Sequence, residues 1–452
     1  MKNFFHSPTH FFFGLFFVLG LSTPFPSGGQ DAILEATRSE FQKIPIWVMN
    51  FPAVKQDDTL PDNATQTVMK VLKADLQRSQ VFSVADLPDD KGGFMENKCV
   101  SLAPSLAPQY QKVTVSTWGR LGVGGTSSGV QGLILDACAF DPGHQDVLTG
   151  KRYFSLKSTD ALIRLMAHRW ADELVYRYTG EQGIARTKIA FVGEKGNGRE
   201  LFVMDYDGYD PQQVTADGYL NLMPSWSPDR KSLIYTAYRD RKQQIMRREL
   251  STGREEILVS PASLNITPNF SPNGKFMTYA AAQEGNSDIF QLELDTRTVK
   301  QLTSHDSADL SPSWSPDGRQ LAFTSDRGGR PQIYLMNSDG TNVHRLTFDG
   351  DYNAAPAWSP KGDWIVYVCR IPSEGFKLCK ISPNGERRGQ ITTGQSIDDS
   401  PSWAPNGRHL VFSSIRRGES QLYIITVDGR GLEKISSMGS HLSSPSWSPF
   451  QP

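Results

Sequence analysis

One short motif has the residue types and spacing of a nucleophile elbow, the sharp turn that presents a catalytic serine. Gly125, Ser127 and Gly129 match its G-x-S-x-G pattern. An elbow needs a strand that runs into the serine and a helix that leaves it. Here the motif lies in GRLGVGGTSSGVQG, a glycine-rich stretch that reads as a loop leading into a strand. We therefore expect no catalytic nucleophile at Ser127.

The eight histidines show neither HExxH nor another paired-ligand spacing, and such spacing is what marks a zinc site in a sequence. The sequence also lacks a P-loop and a dinucleotide-binding glycine pattern, which argues against nucleotide chemistry. We therefore expect no cofactor, and the sequence does not decide whether a metal ion is bound.

A row of amide and carboxylate side chains recurs three residues before a repeated proline. Its members are Asn221, Asn265, Asp309, Asn353 and Asp398, and Leu442 takes the sixth position. These groups could bond their own turns, or they could line a channel and bind a cation or the backbone of a partner segment. If they bind a partner, replacing Asn265 and Asp309 by alanine should weaken binding with almost no change in melting temperature.

Asp309 and Asp398 could alternatively act as the acid and base of a secreted propeller hydrolase or lyase. Equivalent positions in a repeat are poorly suited to give two carboxylates different pKa values. A carbohydrate-binding propeller is a further alternative, because the sequence does not separate exposed aromatic rings from core ones. We favour a protein that is not an enzyme.

An aromatic residue recurs at a nearly constant spacing, and this repeat shows which structural elements would position the row of polar side chains. The aromatic positions are Trp226, Phe270, Trp314, Trp358, Trp403 and Trp447, separated by 44, 44, 44, 45 and 44 residues. Each of the first five is followed by a proline turn and three strand-like segments, which together have the length of a four-stranded propeller blade. We expect each aromatic ring to lie between adjacent blades, where it buries about 150 to 250 Å².

The two ends of the array are complementary. Residues 187–215 supply the second, third and fourth strands of a unit, and the chain ends just after a first strand at Trp447. Five complete units and these fragments predict an all-β six-bladed β-propeller over residues 186–452. Pairing of the C-terminal strand with residues 187–215 would close the ring and remove an exposed sheet edge.

Residues 30–185 have a different pattern, typical of a small α/β domain with a mixed sheet. IPIWVMNF at 44–51 reads as a buried strand, and Asp62-Asn63 can cap a helix. A second helix is expected from Thr159 to a stop at Gly180. Residues 85–128 show no regular pattern except one possible strand near VTVSTW.

The first 29 residues are typical of a secretory signal peptide. Lys2 precedes an apolar run of 11 residues from Phe11 to Leu21, which is too short to span about 30 Å of hydrocarbon as a helix. We expect cleavage between Pro24 and Gln30, no membrane span, and an exported protein.

Export permits disulfides among the four cysteines. Cys369 and Cys379 lie in the two arms of the hairpin VYVCRIPSEGFKLCK, where cross-strand neighbours come within bonding range. A pair of Cys99 with Cys138 is also possible, although nothing local fixes its geometry.

The charge balance restricts the partners. With 47 basic and 48 acidic residues, the chain has no overall charge that would attract nucleic acid or an anionic membrane. We therefore expect a monomer that recognises its partners through local surfaces.

Several segments resemble the TolB family, the periplasmic component of the Tol-Pal envelope system. They are the PSWSPDG units, MDYDGYDPQQVT at 204–215, AHRWADELVYRYTGEQGI, KIPIWVMNF and the terminal PSWSPF. The match spans most of the mature chain and is loose from 85 to 158. The resemblance implies a non-enzymatic scaffold in the periplasm that supports outer-membrane integrity and cell division.

The resemblance also implies two partners. The propeller channel face would bind the peptidoglycan-associated lipoprotein Pal, and the N-terminal domain and tail would engage the inner-membrane protein TolA. The channel-mouth residues carried over for Pal, together with the polar row, are Asn221, Leu264, Asn265, Thr267, Asp309, Leu310, Asn353 and Asp398. The tail residues for TolA are Gln30, Asp31, Ala32, Ile33, Leu34, Glu35 and Ala36.

Overall fold

A computed structural model describes residues 42–54, 60–85, 113–125, 130–144, 146–196, 198–260, 264–283, 286–436, 438–439 and 441–451. The expected signal peptide and the tail from Gln30 to Ala36 lie outside these residues. Within them, every helix is too short or too polar to cross a membrane.

The N-terminal domain is an α/β structure with a mixed sheet. Its strands are β1 (Ile44–Val48), β2 (Ala53–Val54), β3 (Phe82–Val84), β4 (Val115–Gly125), β5 (Gln131–Asp141) and β6 (Asp146–Ser155), and its helices are α1 (Ala64–Arg78) and α2 (Asp160–Thr179). The sheet has the order β3-β1-β4-β5-β6, and β2 pairs with β4. The pairs of β1 with β3 and β4 are parallel, and β4, β5 and β6 are antiparallel.

Both helices begin where their sequences predict, with one difference in capping, and α2 also ends where predicted. The Thr159 side chain accepts a hydrogen bond from the Leu162 amide, and Gly180 ends α2 in the left-handed conformation. Asn63 occupies the N-cap of α1 without a side-chain bond to the helix. The apolar face of α1, with Val68 and Leu72, is buried in the domain core.

Residues 85–128 were expected to be irregular with one possible strand near VTVSTW, and the described part does hold one strand there, β4, which continues to Gly125. Glycine allows this length: a Cβ atom at Gly119 would lie 2.1 Å from the carbonyl oxygen of Asp136. A strand therefore does enter the G-x-S-x-G motif, contrary to our sequence interpretation. The next described element after the motif is β5 and not the helix that an elbow requires, and residues 126–129 lie outside the described residues.

The C-terminal domain is a β-propeller built from 24 of the described strands. They are β7 (Lys188–Lys195), β8 (Gly198–Asp205), β9 (Gln212–Gln213), β10 (Leu220–Trp226), β11 (Ser232–Arg239), β12 (Lys242–Glu249), β13 (Glu255–Val259), β14 (Leu264–Phe270), β15 (Phe276–Gln283), β16 (Asn286–Glu293), β17 (Val299–Gln301), β18 (Asp309–Trp314), β19 (Gln320–Ser325), β20 (Gln332–Asn337), β21 (His344–Arg345), β22 (Asn353–Trp358), β23 (Ile365–Ile371), β24 (Gly375–Ile381), β25 (Arg388–Gln390), β26 (Ile397–Trp403), β27 (His409–Arg416), β28 (Glu419–Thr426), β29 (Glu433–Lys434) and β30 (Ser443–Trp447).

Strands β14 to β29 form four separate four-stranded sheets in chain order. The remaining propeller strands form one eight-stranded sheet with the order β13-β12-β11-β10-β8-β7-β30, in which β9 pairs with β8. In this sheet Leu220 of β10 pairs in parallel with Arg199 of β8. The C-terminal strand β30 pairs antiparallel with β7, with Trp447 opposite Ile189.

The repeated aromatic residues are core residues, as predicted. All six are at most 8% exposed. Phe270 packs with Ile234 and Ile245 of the preceding sheet, and Trp314 packs with Ala280 and Ile289 in the same way. The aromatic side chains therefore join neighbouring sheets.

Candidate functional site

The candidate site lies at the beginning of the first strand of each repeat. These strands are β10, β14, β18, β22, β26 and β30. Each contacts the next one along the chain, and β30 contacts β10, so together they surround a central channel. We define the channel mouth as residues 221–223, 265–267, 309–311, 353–355, 398–400 and 442–444.

The polar row is buried within the mouth. Asn221, Asn265, Asp309 and Asp398 are 0% exposed, and Asn353 is 3% exposed. Their amides bond to neighbouring strands: Asn221 Nδ2 donates to Glu200 Oε2 at 3.2 Å, and Asn353 Nδ2 donates to Gln332 Oε1 at 2.8 Å. The amide nitrogens therefore hold the first strands in place, whereas Oδ1 of Asn221, Asn265 and Asp309 is buried without a hydrogen-bond partner among the described residues.

The two carboxylates of the row are also engaged. Asp309 accepts a hydrogen bond from Arg327 at 2.7 Å. Asp398 accepts bonds from Ser414 at 2.6 Å and from Ser396 at 3.1 Å, and Lys377 lies 3.7 Å away. A general acid or base must come within hydrogen-bond reach of its substrate, and neither carboxylate is accessible to one.

A backbone irregularity recurs in the mouth, two residues after each member of the row. The residues in the left-handed conformation are Met223, Thr267, Ser311, Ala355, Ser400 and Ser444, with φ between 49° and 54°. Strand pairing shifts register here in every repeat, as in a β-bulge. This conformation costs a non-glycine residue about 1 kcal/mol, and bulges of this kind direct side chains at sites.

The side chains that follow the row make the mouth asymmetric. Leu222, Ile266 and Leu310 are half-buried on consecutive strands, whereas Asp399 and Ser443 occupy the equivalent positions on β26 and β30. The side chain of Asp399 reaches solvent. The protein atoms around it nevertheless remove part of its hydration, which disfavours the charged form and raises the pKa. One side of the mouth is therefore apolar at these positions, and the other side is polar and carries one exposed carboxyl group, that of Asp399.

Apolar residues extend this surface outward. Leu220 is 39% exposed opposite Tyr238, which is 40% exposed, and Ile397 is 45% exposed opposite Ile415, which is 41% exposed. Exposed apolar side chains that are grouped around a concave opening are typical of protein-binding surfaces. For Leu264, which belongs to the same edge, the structure describes only the backbone.

The N-terminal domain packs against the opposite end of the propeller. Glu181 forms ion pairs with Lys361 at 2.6 Å and with Arg408 at 2.8 Å. Both cations lie in turns that follow the first strands, after Trp358 and Trp403. The described part of the domain therefore makes these contacts at the end away from the channel mouth.

A buried polar cluster joins the two domains. Asp75 of α1 lies 2.6 Å from His168 Nδ1 of α2 and accepts a hydrogen bond from the Tyr206 hydroxyl group of the turn after β8. Burial opposes the charged form of His168, but the carboxylates of Asp75 and Asp207 outweigh it and raise the pKa. The cluster connects positions that are far apart in the chain, and no sequence motif marks it.

His168, Asp205 and Asp207 also lie close enough together to hold a metal ion. Lys188 already pairs with Asp205 at 2.5 Å, and Arg164 pairs with Asp207. These cations neutralise both carboxylates, so the structure favours an ion-pair cluster over a metal site at this position.

A second buried histidine, His409, makes the stability of the domain junction depend on pH. Its Nε2 donates to the carbonyl oxygen of Arg78 at 2.9 Å, since a carbonyl can only accept. Burial lowers its pKa from 6.5 to about 4. The folded pKa is below the unfolded one, so this contribution to stability is present above pH 6.5 and is lost as the pH falls toward 4.

We expect wild-type protein to lose about 3 kcal/mol relative to His409→Gln between pH 6.5 and pH 4. Urea unfolding of both proteins across this range measures the difference, in which the titration of all other groups cancels. A difference that does not vary with pH would contradict the assignment.

The disulfide candidate and the tail residues complete the predicted sites. Cys369 and Cys379 form a disulfide with Cα atoms 5.8 Å apart. They occupy diagonal positions, because the partner of Cys369 in the β23–β24 register is Lys377. Cys138 is disulfide-bonded as well, and Cys99 lies outside the described residues, like the tail from Gln30 to Ala36.

Comparisons with known proteins agree with this architecture. The family model of the TolB beta propeller domain matches residues 175–451. The Tol-Pal system protein TolB of Methylobacillus flagellatus is 33% identical over 249 residues, which cover 55% of this chain and 54% of that protein. The TolB protein of Paramagnetospirillum magneticum is 32% identical over 251 residues, covering 54% of this chain and 53% of that protein.

These alignments span about half the length of the curated relatives. The structural likeness extends further. The crystal structure of TolB from Acinetobacter baumannii has a TM-score of 0.76 and 28% sequence identity, and the superposition covers 90% of this chain and 97% of that chain. The propeller, its position after an α/β domain and the family match together show that the chain belongs to the TolB β-propeller family.

Proposed function

We propose that the protein is a periplasmic interaction scaffold of a Tol-Pal system and acts without catalysis. It binds a Pal-like peptidoglycan-associated lipoprotein through the channel mouth and a TolA-like inner-membrane protein through its N-terminal region. In this role it supports outer-membrane integrity and cell division. The mature protein begins after a cleaved signal peptide, residues 1–29, and is a monomer.

The observation that carries this proposal is the open, asymmetric channel mouth. It is apolar on one side and surrounded by exposed apolar residues, and the described part of the N-terminal domain forms ion pairs at the other end. Aromatic and aliphatic side chains at the centre of such a surface contribute most of the binding energy in protein complexes.

We divide the mouth residues into two roles. Half-buried Thr267 and Leu310, together with Leu264, form the contact surface. The positioning residues hold the bulged strands and are Asn221, Asn265, Asp309, Asn353 and Asp398. Because Asn265 and Asp309 are buried and bonded, we now expect their replacement by alanine to lower stability as well as binding.

We further propose that the eight-stranded sheet is two blades, β30-β7-β8-β9 and β10-β11-β12-β13. With the four separate sheets, this makes a six-bladed propeller over residues 186–452 after an α/β domain over residues 30–185. The antiparallel pairing within each half and the parallel contact of Leu220 with Arg199 between them support this division.

We expect Leu310→Ala to weaken binding of a Pal-like lipoprotein, prepared without its lipid anchor, by about tenfold. Truncation of a contact residue typically costs 1 kcal/mol or more, and tenfold corresponds to about 1.4 kcal/mol. Titration calorimetry with the full mature chain measures the change.

The matched control is Val299→Ala, which removes a side chain that is 50% exposed on the outer strand β17. It should bind with wild-type affinity. Equal effects of the two substitutions would place the contact surface elsewhere.

Deletion of residues 30–36 should abolish binding of a TolA-like protein, and retained binding would remove the tail from the proposal.

A further inference from the structure

A cavity of about 470 Å³ lies beside the turn that connects β10 to β11. It is partly open to solvent and lies between strands β7 to β9 and strands β10 to β12, and its walls include Lys188, Gln212, Gln213, Trp226, Arg230 and Arg248. The volume falls in the range of sites for small organic molecules. The turn follows the end of β10, whereas the channel mouth lies at its beginning, so the cavity is separate from the proposed partner site.

The cavity carries one uncompensated positive charge. Lys188 pairs with Asp205 at 2.5 Å, and Arg248 pairs with Glu255 at 2.9 Å. Arg230 has no carboxylate partner among the described residues, and its Nη1 atom is buried without a hydrogen-bond partner. Most buried polar atoms in proteins have a hydrogen-bond partner, which can be a water molecule or a bound ion.

The surroundings of Arg230 disfavour its positive charge. Burial and the nearby guanidinium of Arg186 lower the pKa of Arg230. Arg186 itself is already paired with Asp172 at 2.8 Å. An anion in the cavity would therefore pair with a cation that no side chain of the described chain neutralises.

The backbone shows that arginine is an unfavourable choice here. Arg230 has φ 62°, a conformation in which a side chain adds strain. The equivalent turns of four other repeats place glycine at this position: Gly274, Gly318, Gly362 and Gly407, with φ between 63° and 77°. If the position only had to form the turn, glycine would serve better, so the arginine side chain has another role.

We propose that this cavity binds a small organic anion, whose carboxylate or phosphate group is held by the guanidinium of Arg230. The planar fork of arginine donors matches either group in a bidentate arrangement. The amide nitrogens of Gln212 and Gln213 already donate to Asp210 and to the Thr215 carbonyl oxygen, so Arg230 is the main anion-binding group, and Trp226 supplies an apolar wall.

The test is the melting temperature of the full mature chain in 20 mM succinate or 20 mM inorganic phosphate, each compared with sodium chloride at equal ionic strength. We expect a rise of about 2 °C or more with at least one of the two anions. A rise with succinate alone identifies a carboxylate ligand, and a rise with phosphate alone identifies a phosphate ligand.

Arg230→Gly should abolish this rise and weaken binding of the same anion at least tenfold in calorimetry. Because glycine suits the turn, this variant should also melt at a higher temperature than wild type in chloride. Arg319→Ala is the control, since Arg319 is an exposed arginine in the equivalent turn of another repeat, and it should keep the rise. The absence of a rise with both anions, or a rise that Arg230→Gly retains, would overturn the proposal. Neither result depends on partner binding at the channel mouth.

Discussion

Asp75→Ala is expected to lower the free energy of unfolding by about 3 to 5 kcal/mol, which is the usual loss when one partner of a buried charged pair is removed. Asp75 is 3% exposed and binds His168 and Tyr206 at once. Without the carboxylate, the imidazole and the phenol hydroxyl are left buried without their partner. Urea unfolding at pH 7 measures the loss.

The matched control is Asp62→Ala, which removes an exposed carboxylate just before the same helix and should change stability by about 0.5 kcal/mol or less. Because Tyr206 belongs to the propeller, Asp75→Ala should also make the linker at residues 181–187 more sensitive to protease. If Asp75→Ala and Asp62→Ala had equal effects, the cluster would not hold the domains together.

The propeller fold could be predicted because the sequence signals that indicate it are local and recur in each repeat. Each repeat carries the same aromatic residue and proline turn at a constant separation, and strand period alone decides which side chains enter the core. The family match and the sheets agree with that prediction. The six aromatic positions were correctly assigned to the core for the same reason.

The channel mouth could be located from the sequence, but its chemistry could not. The sequence repeat places Asn221 and Asp309 at equivalent positions, but it does not show whether their side chains face the channel or the next strand. The structure turns them toward neighbouring side chains such as Glu200 and Arg327. The bulges were missed because the left-handed positions carry ordinary residues such as Met223 and Ala355, and sequence rules expect glycine or asparagine there.

The contacts between the two domains could not be predicted from the sequence either. His168 and Asp75 are separated by 93 residues, and Tyr206 and Asp75 by 131. Contacts between residues so far apart in the chain depend on how α1 and α2 pack against the turn after β8, and no local sequence pattern encodes that packing. A resemblance to a family could name this turn as a shared segment, but it could not assign the hydrogen bonds.

Deletion of residues 441–452 is expected to prevent the propeller from folding as a stable monomer. Strand β30 pairs with β7, and the Trp447 indole donates to Thr187 Oγ1 at 2.7 Å. Burying an aromatic side chain of this size is worth roughly 4 to 6 kcal/mol gross, which is comparable with the whole stability of many domains. Loss of the strand also exposes β7 as an edge, which favours aggregation. Size-exclusion chromatography and thermal unfolding measure both effects.

The decisive measurement adds the missing strand back as a synthetic peptide of residues 441–452. A free strand can pair with an exposed edge through its main chain and fill the vacant positions with its side chains, so we expect recovery of monomer and of cooperative unfolding. The same peptide with Trp447→Ala should fail, because it keeps the main-chain pairing and loses the aromatic contact between sheets. Equal rescue by both peptides would mean that main-chain pairing alone closes the ring. Full folding of the truncated chain without peptide would show that the pairing of β30 with β7 is dispensable.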